Sequence, residues 1–170
     1  MLQELLTPDW VPGTTLAQLP LQQLLDNDIR ALVLDVDRTL LPRRRAEVPP
    51  SVEQWLRNAR QQLPIHLLSN NPSRLRIGSV ARLFDVPYTT SAGKPRRSAL
   101  RRVLQELGLP PGSIALAGDR LFTDVLVGNR LGLFTVLVKP TDIHGQPCQR
   151  DHMQNMELRM ARWLGVSTGG

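Results

Sequence analysis

The most constraining feature of the chain is an alternation of short, unbroken apolar runs with stretches of helical spacing. The apolar runs are Ala31–Leu34 and Ile65–Leu68, then 86–89, 114–117 and 134–138. Runs of this length bounded by turn residues suit strands buried on both faces, as in a parallel sheet covered by helices. Between them, Val52, Trp55, Leu56 and Ala59 share one helical face, behind a capping-box pattern at Ser51 and Gln54. Leu100, Val103, Leu104 and Leu107 form a second stripe that Gly108 is placed to end, and a third helix is expected over 121–130, with Gly132 beyond it. The alternation predicts an α/β fold, a Rossmann-like three-layer sandwich around a mainly parallel five-stranded sheet with right-handed crossovers.

At 170 residues the chain fits one domain, since domains typically run ~100–200 residues. It divides into an N-terminal segment (1–28), a core (29–140) and a C-terminal loop and helix (141–170). Neither repeats nor a low-complexity linker interrupt it. With 41% hydrophobic and 21% charged residues, its composition is that of an ordinary globular protein. No apolar run approaches the ~18 residues of a membrane span. The start Met1-Leu2-Gln3-Glu4 lacks the pattern of a secretory leader. Cys148 is alone, so no intrachain disulfide can form, and a reducing, cytoplasmic setting is expected, with peripheral contact at the inner face of a membrane as an extension of it.

Open α/β sheets bind ligands at the carboxyl ends of their strands, near the point where strand order reverses. The residues at those ends are Asp35-Val36-Asp37, Ser69-Asn70-Asn71 and Gly118-Asp119, with Asp124 shortly after. Carboxylates crowded at buried strand ends repel one another unless a cation compensates them, and a hard divalent ion with oxygen ligands, Mg2+ above all, is the natural one. An ionised carboxylate can attack phosphorus, and a second carboxyl can protonate the leaving oxygen. Ser69 and neighbouring N–H groups could bind phosphoryl oxygens and Lys94 could neutralise them. Lysine is scarce here, occurring only as Lys94 and Lys139, which singles out Lys94 as a place where arginine would not serve.

Taken in order, Asp35-Val36-Asp37-Arg38-Thr39, Ser69-Asn70-Asn71, Gly93-Lys94-Pro95 and Gly118-Asp119…Asp124 resemble the motifs of haloacid dehalogenase superfamily phosphatases. The closer resemblance is to subfamily IIIA, in the branch that includes phosphatidylglycerophosphate phosphatases. Leu6-Thr7-Pro8, Leu121-Phe122-Thr123-Asp124-Val125 and Leu137-Val138-Lys139-Pro140 are also similar to that branch. The resemblance implies Asp35 as nucleophile and metal ligand, and Asp37 as general acid/base whose main-chain carbonyl also meets the metal. It implies Ser69 and Lys94 as phosphate-binding, with Asn70 beside them, though Asn70 and Asn71 also suit a turn. Asp119 would be a further Mg2+ ligand, and Thr39 and Asp124 would support the set. One departure is Arg38, where the branch commonly carries asparagine.

No joint between strands and helices is long enough for a large cap domain, so the site should be open to a bulky substrate. A net charge of +6 favours anionic partners. Arg43, Arg44 and Arg45 follow the first motif and could dock an anionic surface, and Leu2, Leu5, Leu6 and Trp10 could rest on a bilayer interface. The leading expectation is therefore a phosphatase of an anionic lipid. The alternatives are a phosphatase of sugar phosphates, nucleotides or nucleic-acid ends, and a basic RNA- or protein-binding module with a vestigial site. Nucleic acid is disfavoured by the intact acidic set and by an aromatic content of 4%. His66 reads as a core histidine, and His144 and His152 lack metal-ligand spacing. Met153, Met156, Met160 and Trp163 lie at helical spacing and are expected to dock the last helix on the core.

Overall fold

The computed structural model describes residues 1–168; positions 169 and 170 of the C-terminal segment lie outside the described residues. Five parallel strands form the sheet, in the order β3-β2-β1-β4-β5. They are β1 (Ala31–Leu34), β2 (Ile65–Leu68), β3 (Tyr88–Thr89), β4 (Ile114–Gly118) and β5 (Phe134–Leu137). Strand order reverses between β1 and β4, which opens the crevice at their carboxyl ends.

The helices that cover the sheet are α1 (Leu2–Leu5), α2 (Leu21–Asp26), α3 (Pro50–Gln62), α4 (Arg74–Phe84), α5 (Ser98–Leu107), α6 (Leu126–Leu131) and α7 (His152–Trp163). Side chains of β1 alternate strictly between the two faces. Leu32 and Leu34 join a core with Val52, Leu56, Ile77 and Phe84 of α3 and α4. Ala31 and Val33 join another with Leu100 and Val103 of α5 and Val127 of α6. A three-layer α/β sandwich results, as the alternation predicts.

Local differences have physical causes. Strand β3 is only two residues long because Pro87 has no N–H to give a ladder, although its carbonyl accepts from Leu67 N at 3.0 Å. The capping box at Ser51 does not form. Helix α3 starts at Pro50, where proline's fixed φ suits a first helical position, and Ser51 Oγ donates to His144 O instead. The expected third helix begins as a π-helical turn over Leu121–Val125 before α6. Helix α4, which is not among the helices expected from the sequence, buries Ile77, Val80, Ala81 and Phe84 on one face and keeps Arg74 and Arg82 exposed.

The N-terminal segment is used internally. Leu6 is fully buried, and Trp10 pairs with the edge of β5, accepting from Leu137 N and donating to Thr135 O, both at 3.0 Å. Of the apolar residues expected at a bilayer, Leu2 is exposed while Leu6 and Trp10 are committed to packing. The last helix also departs from expectation. Helix α7 turns Gln154, Glu157 and Ala161 inward and leaves Met153, Met156, Met160 and Trp163 in solvent. No helix among the described residues is long and apolar enough to cross a membrane.

Candidate active site

A cleft of about 140 Å³ opens at the switch point, lined among others by Asp35, Asp37, Ser69, Lys94 and Asp119. Asp35 is the first residue beyond β1, its N–H still bonded to Ala117 O at 3.0 Å. The two oxygens of its carboxylate are distinguished by their partners. Lys94 Nζ donates to Oδ1 at 2.8 Å, and Thr39 Oγ1 donates to Oδ2 at 3.2 Å.

Lys94 is buried and its ammonium meets three acceptors: Asp35 Oδ1, Asp124 Oδ1 at 2.7 Å and the Leu68 carbonyl at 2.8 Å. A compact head with three rotatable donors satisfies that arrangement; a planar guanidinium would not. Burial alone would favour the neutral amine, but the charges of Asp124 and Asp35 outweigh it and hold Lys94 protonated well above its ordinary range. Its loop is fixed from β2. Asn70 Nδ2 donates to Lys94 O at 3.0 Å and Lys94 N donates to Asn70 Oδ1 at 2.8 Å. Asn70 thus holds the lysine loop with both ends of its amide, and Ser69 Oγ accepts from Asn71 N at 3.0 Å.

Carboxylate oxygens of Asp35, Asp119 and Asp124 lie within 4.8 Å of one another, all buried. Burial, then the charges of Asp35 and Asp124, push Asp119 well above the usual carboxylate range, with Arg38 pulling the other way. Burial and the Asp35 charge likewise raise Asp124, to about 6, against the pull of Lys94. Asp119 Oδ2 is buried without a hydrogen-bond partner. A desolvated carboxylate oxygen beside two more carboxylates is costly alone and well suited to a hard divalent cation, so the residues present fit a metal. Gly118 makes the cluster compact, because a Cβ there would run into the Asp124 side chain.

Asp37 stands apart from this group. Its carboxylate accepts from Asn71 Nδ2 at 3.0 Å and from Arg76, through Nε at 3.0 Å and Nη2 at 2.9 Å. Arg38 has φ +69°, a left-handed backbone that asparagine tolerates better than arginine. Its side chain is ion-paired with Asp151 and reaches Asp119 Oδ2 at 3.9 Å. Arg43, Arg44 and Arg45 are exposed and do not line the cleft. His66 is buried, with Nε2 2.8 Å from Thr89 Oγ1.

Several contributors were not anticipated from the sequence. Arg76 comes from α4, and Arg120 lines the cleft. Helix α7 braces the loops after β4 and β5: Gln154 Nε2 donates to Asp119 O at 2.8 Å and Val138 O at 2.9 Å, and Glu157 accepts from Arg120 Nε at 2.8 Å and Leu121 N at 2.9 Å. The only trace in the sequence is the spacing of Gln154, Glu157 and Ala161, a polar inner face that resembles a solvent face.

The fold and the cleft define an α/β protein with an acidic site at the switch point of its sheet. Residues 91–154 match a family model described as HAD-hydrolase-like. Over 120 residues the chain is 29% identical to the probable phosphatase YqeG of Bacillus subtilis, covering 70% of this chain and 69% of that protein. It is 27% identical to the chloroplastic phosphatidylglycerophosphate phosphatase 1 of Chlamydomonas reinhardtii, over 79% of this chain and 54% of the relative. A solved Legionella pneumophila structure, described as a subfamily III A hydrolase of the HAD superfamily, superposes with a TM-score of 0.51 at 15% identity, over 84% of this chain and 90% of that one. The chain is thus similar to haloacid dehalogenase-type hydrolases and is an enzyme of the phosphatase kind.

Proposed function

We propose that this enzyme is a Mg2+-dependent phosphomonoester hydrolase that works through an aspartyl-phosphate on Asp35, and that its substrate is an anionic lipid phosphate, phosphatidylglycerophosphate. The observation that carries the chemistry is the Asp35 carboxylate, facing a small cleft with Lys94 on one oxygen and Thr39 on the other.

In this reading a carboxylate oxygen of Asp35 attacks phosphorus while the bond from phosphorus to the leaving alkoxide breaks. Asp37 gives its proton to that oxygen. Water then attacks the aspartyl-phosphate, Asp37 takes the water's proton, and Asp35 is released with inorganic phosphate. Lys94 stays charged throughout and neutralises the phosphoryl group, while Ser69 and the loop held by Asn70 bind its oxygens. Asp35, Asp119 and the main-chain carbonyl of Asp37 would hold the cation, with Asp124 supporting it and Lys94. The cation's contribution, when bound, is to offset charge on the phosphoryl oxygens.

The substrate class rests on two supports. A cleft of about 140 Å³ suits a phosphoryl group and leaves the rest of a substrate outside. Two relatives, from Chlamydomonas and Arabidopsis, bear the name phosphatidylglycerophosphate phosphatase. The deciding experiment measures phosphate release from phosphatidylglycerophosphate in detergent micelles beside a panel of sugar phosphates and nucleotides. Preferred turnover of the lipid is expected. Efficient turnover of a soluble phosphate with none of the lipid would overturn the substrate and leave the chemistry.

A further inference from the structure

The C-terminal helix has two faces of opposite character. Its inner face holds the loop after β4 through Gln154 and Glu157. On its outer face Met153 (39% exposed), Met156 (50%), Met160 (51%) and Trp163 (88%) form a stripe that no described residue covers. Leu164 continues it, and Gln3 Nε2 donates to Leu164 O at 3.1 Å, which ties the N-terminal turn with its exposed Leu2 to the same end.

The exposed charges on the helix itself point one way. The exposed residues of α7 include His152, Arg159 and Arg162 and no acid. The two acids at this helix are turned inward, Asp151 as the N-cap and partner of Arg38, and Glu157 as partner of Arg120. An apolar stripe of flexible methionines and one tryptophan, accompanied on its own helix only by basic exposed charges, is what a helix lying in the interface of an anionic bilayer presents. A protein partner would need to bury the stripe and also supply acids to Arg159 and Arg162; an anionic bilayer supplies both at once.

We propose that α7 is the membrane-docking element of this enzyme, seating Met156, Met160 and Trp163 at the surface of an anionic bilayer with Arg159 and Arg162 among the headgroups. This deepens the lipid-phosphatase reading and rests on it for the substrate. Because the inner face of α7 bonds directly to Asp119 and Arg120, docking would bring the cleft to within about one helix diameter, ~10 Å, of the lipid surface. The exposed Arg43–Arg45 loop is then an auxiliary contact at most.

The test uses the full chain with phosphatidylcholine vesicles, with and without phosphatidylglycerol, in a sedimentation assay. Two variants keep the fold because they change solvent-facing residues: Met156→Ser/Met160→Ser/Trp163→Ser, and Arg159→Gln/Arg162→Gln. Wild type should bind the anionic vesicles in a salt-sensitive way, and tryptophan emission should shift to the blue on binding. The apolar variant should bind at least tenfold more weakly and lose the shift. The arginine variant should bind anionic vesicles roughly thirtyfold more weakly. Both should hydrolyse a soluble aryl phosphate at the wild-type rate. Equal vesicle binding by wild type and both variants, or none by wild type, overturns the docking role. So does a wild-type dimer that the apolar variant splits, since a second copy would then cover the stripe. Binding through α7 without phosphate release from the lipid would retain the docking role and remove the substrate. Lipid turnover in micelles without vesicle binding would do the reverse.

Discussion

Arg76 of α4 grips Asp37 from the side, with Nη2 at 2.9 Å and Nε at 3.0 Å from the same carboxylate oxygen, while Asn71 holds the other oxygen at 3.0 Å. The carboxyl proposed as acid/base is therefore oriented by two neighbours, in contrast to Asp35, whose partners are Lys94 and Thr39.

If Arg76 orients Asp37, its removal should resemble a mild loss of Asp37. Asp37→Asn is expected to lower kcat by about 10²–10⁴ for alkyl phosphates and less for aryl phosphates, whose leaving groups need less protonation. Arg76→Gln should lower kcat by roughly ten- to a hundredfold with the same leaving-group pattern and little change in KM. A loss equal for aryl and alkyl phosphates would give both residues another job.

Asp35→Asn should abolish nearly all turnover while leaving Tm near wild type, because an amide cannot form the acyl phosphate. Lys94→Arg should also lose most activity, since a planar fork cannot meet Asp35, Asp124 and Leu68 O from one point. Native turnover in either folded variant would refute the corresponding role.

The acidic cluster ties stability to pH and metal. The folded-state pKa of Asp124 is raised, to about 6 against an ordinary 3.8, and that of Asp119 is raised too. Without metal, these charges cost stability above the unfolded value, and the cost is relieved as pH falls through the folded value. Mg2+ competes with those protons. It should raise Tm by roughly 5–10 °C at pH 7.5 when present at about a hundred times its Kd, and by clearly less at pH 5. Thermal scans with Mg2+ and with EDTA check this; an equal shift at both values of pH would refute it.

Gly118→Ala should disturb the cluster without touching a carboxylate. The added Cβ would displace Asp124, costing about 1–3 kcal/mol of stability and weakening the response to Mg2+. Denaturant melts with and without Mg2+ would measure both effects. A native melting curve with a native metal response would show that the site has room to adjust.

Much of the site's framework is determined by the sequence alone. Short apolar runs bounded by turn residues suit strands of a covered parallel sheet, and right-handed crossovers then put Asp35, Ser69 and Asp119 at the carboxyl ends of its three central strands. The tertiary structure decided the pairings. Lys94 meets Asp35 and Asp124 across 59 and 30 positions of chain, and Arg76 meets Asp37 across 39, distances at which no periodicity carries information. It also decided which face of α7 is inside. Helical spacing marks Met153, Met156, Met160 and Trp163 as one stripe, but spacing does not say whether a stripe is covered. Gln154 and Glu157 won the inner position because the loops after β4 and β5 offer them backbone carbonyls and an N–H group that would otherwise be buried without partners.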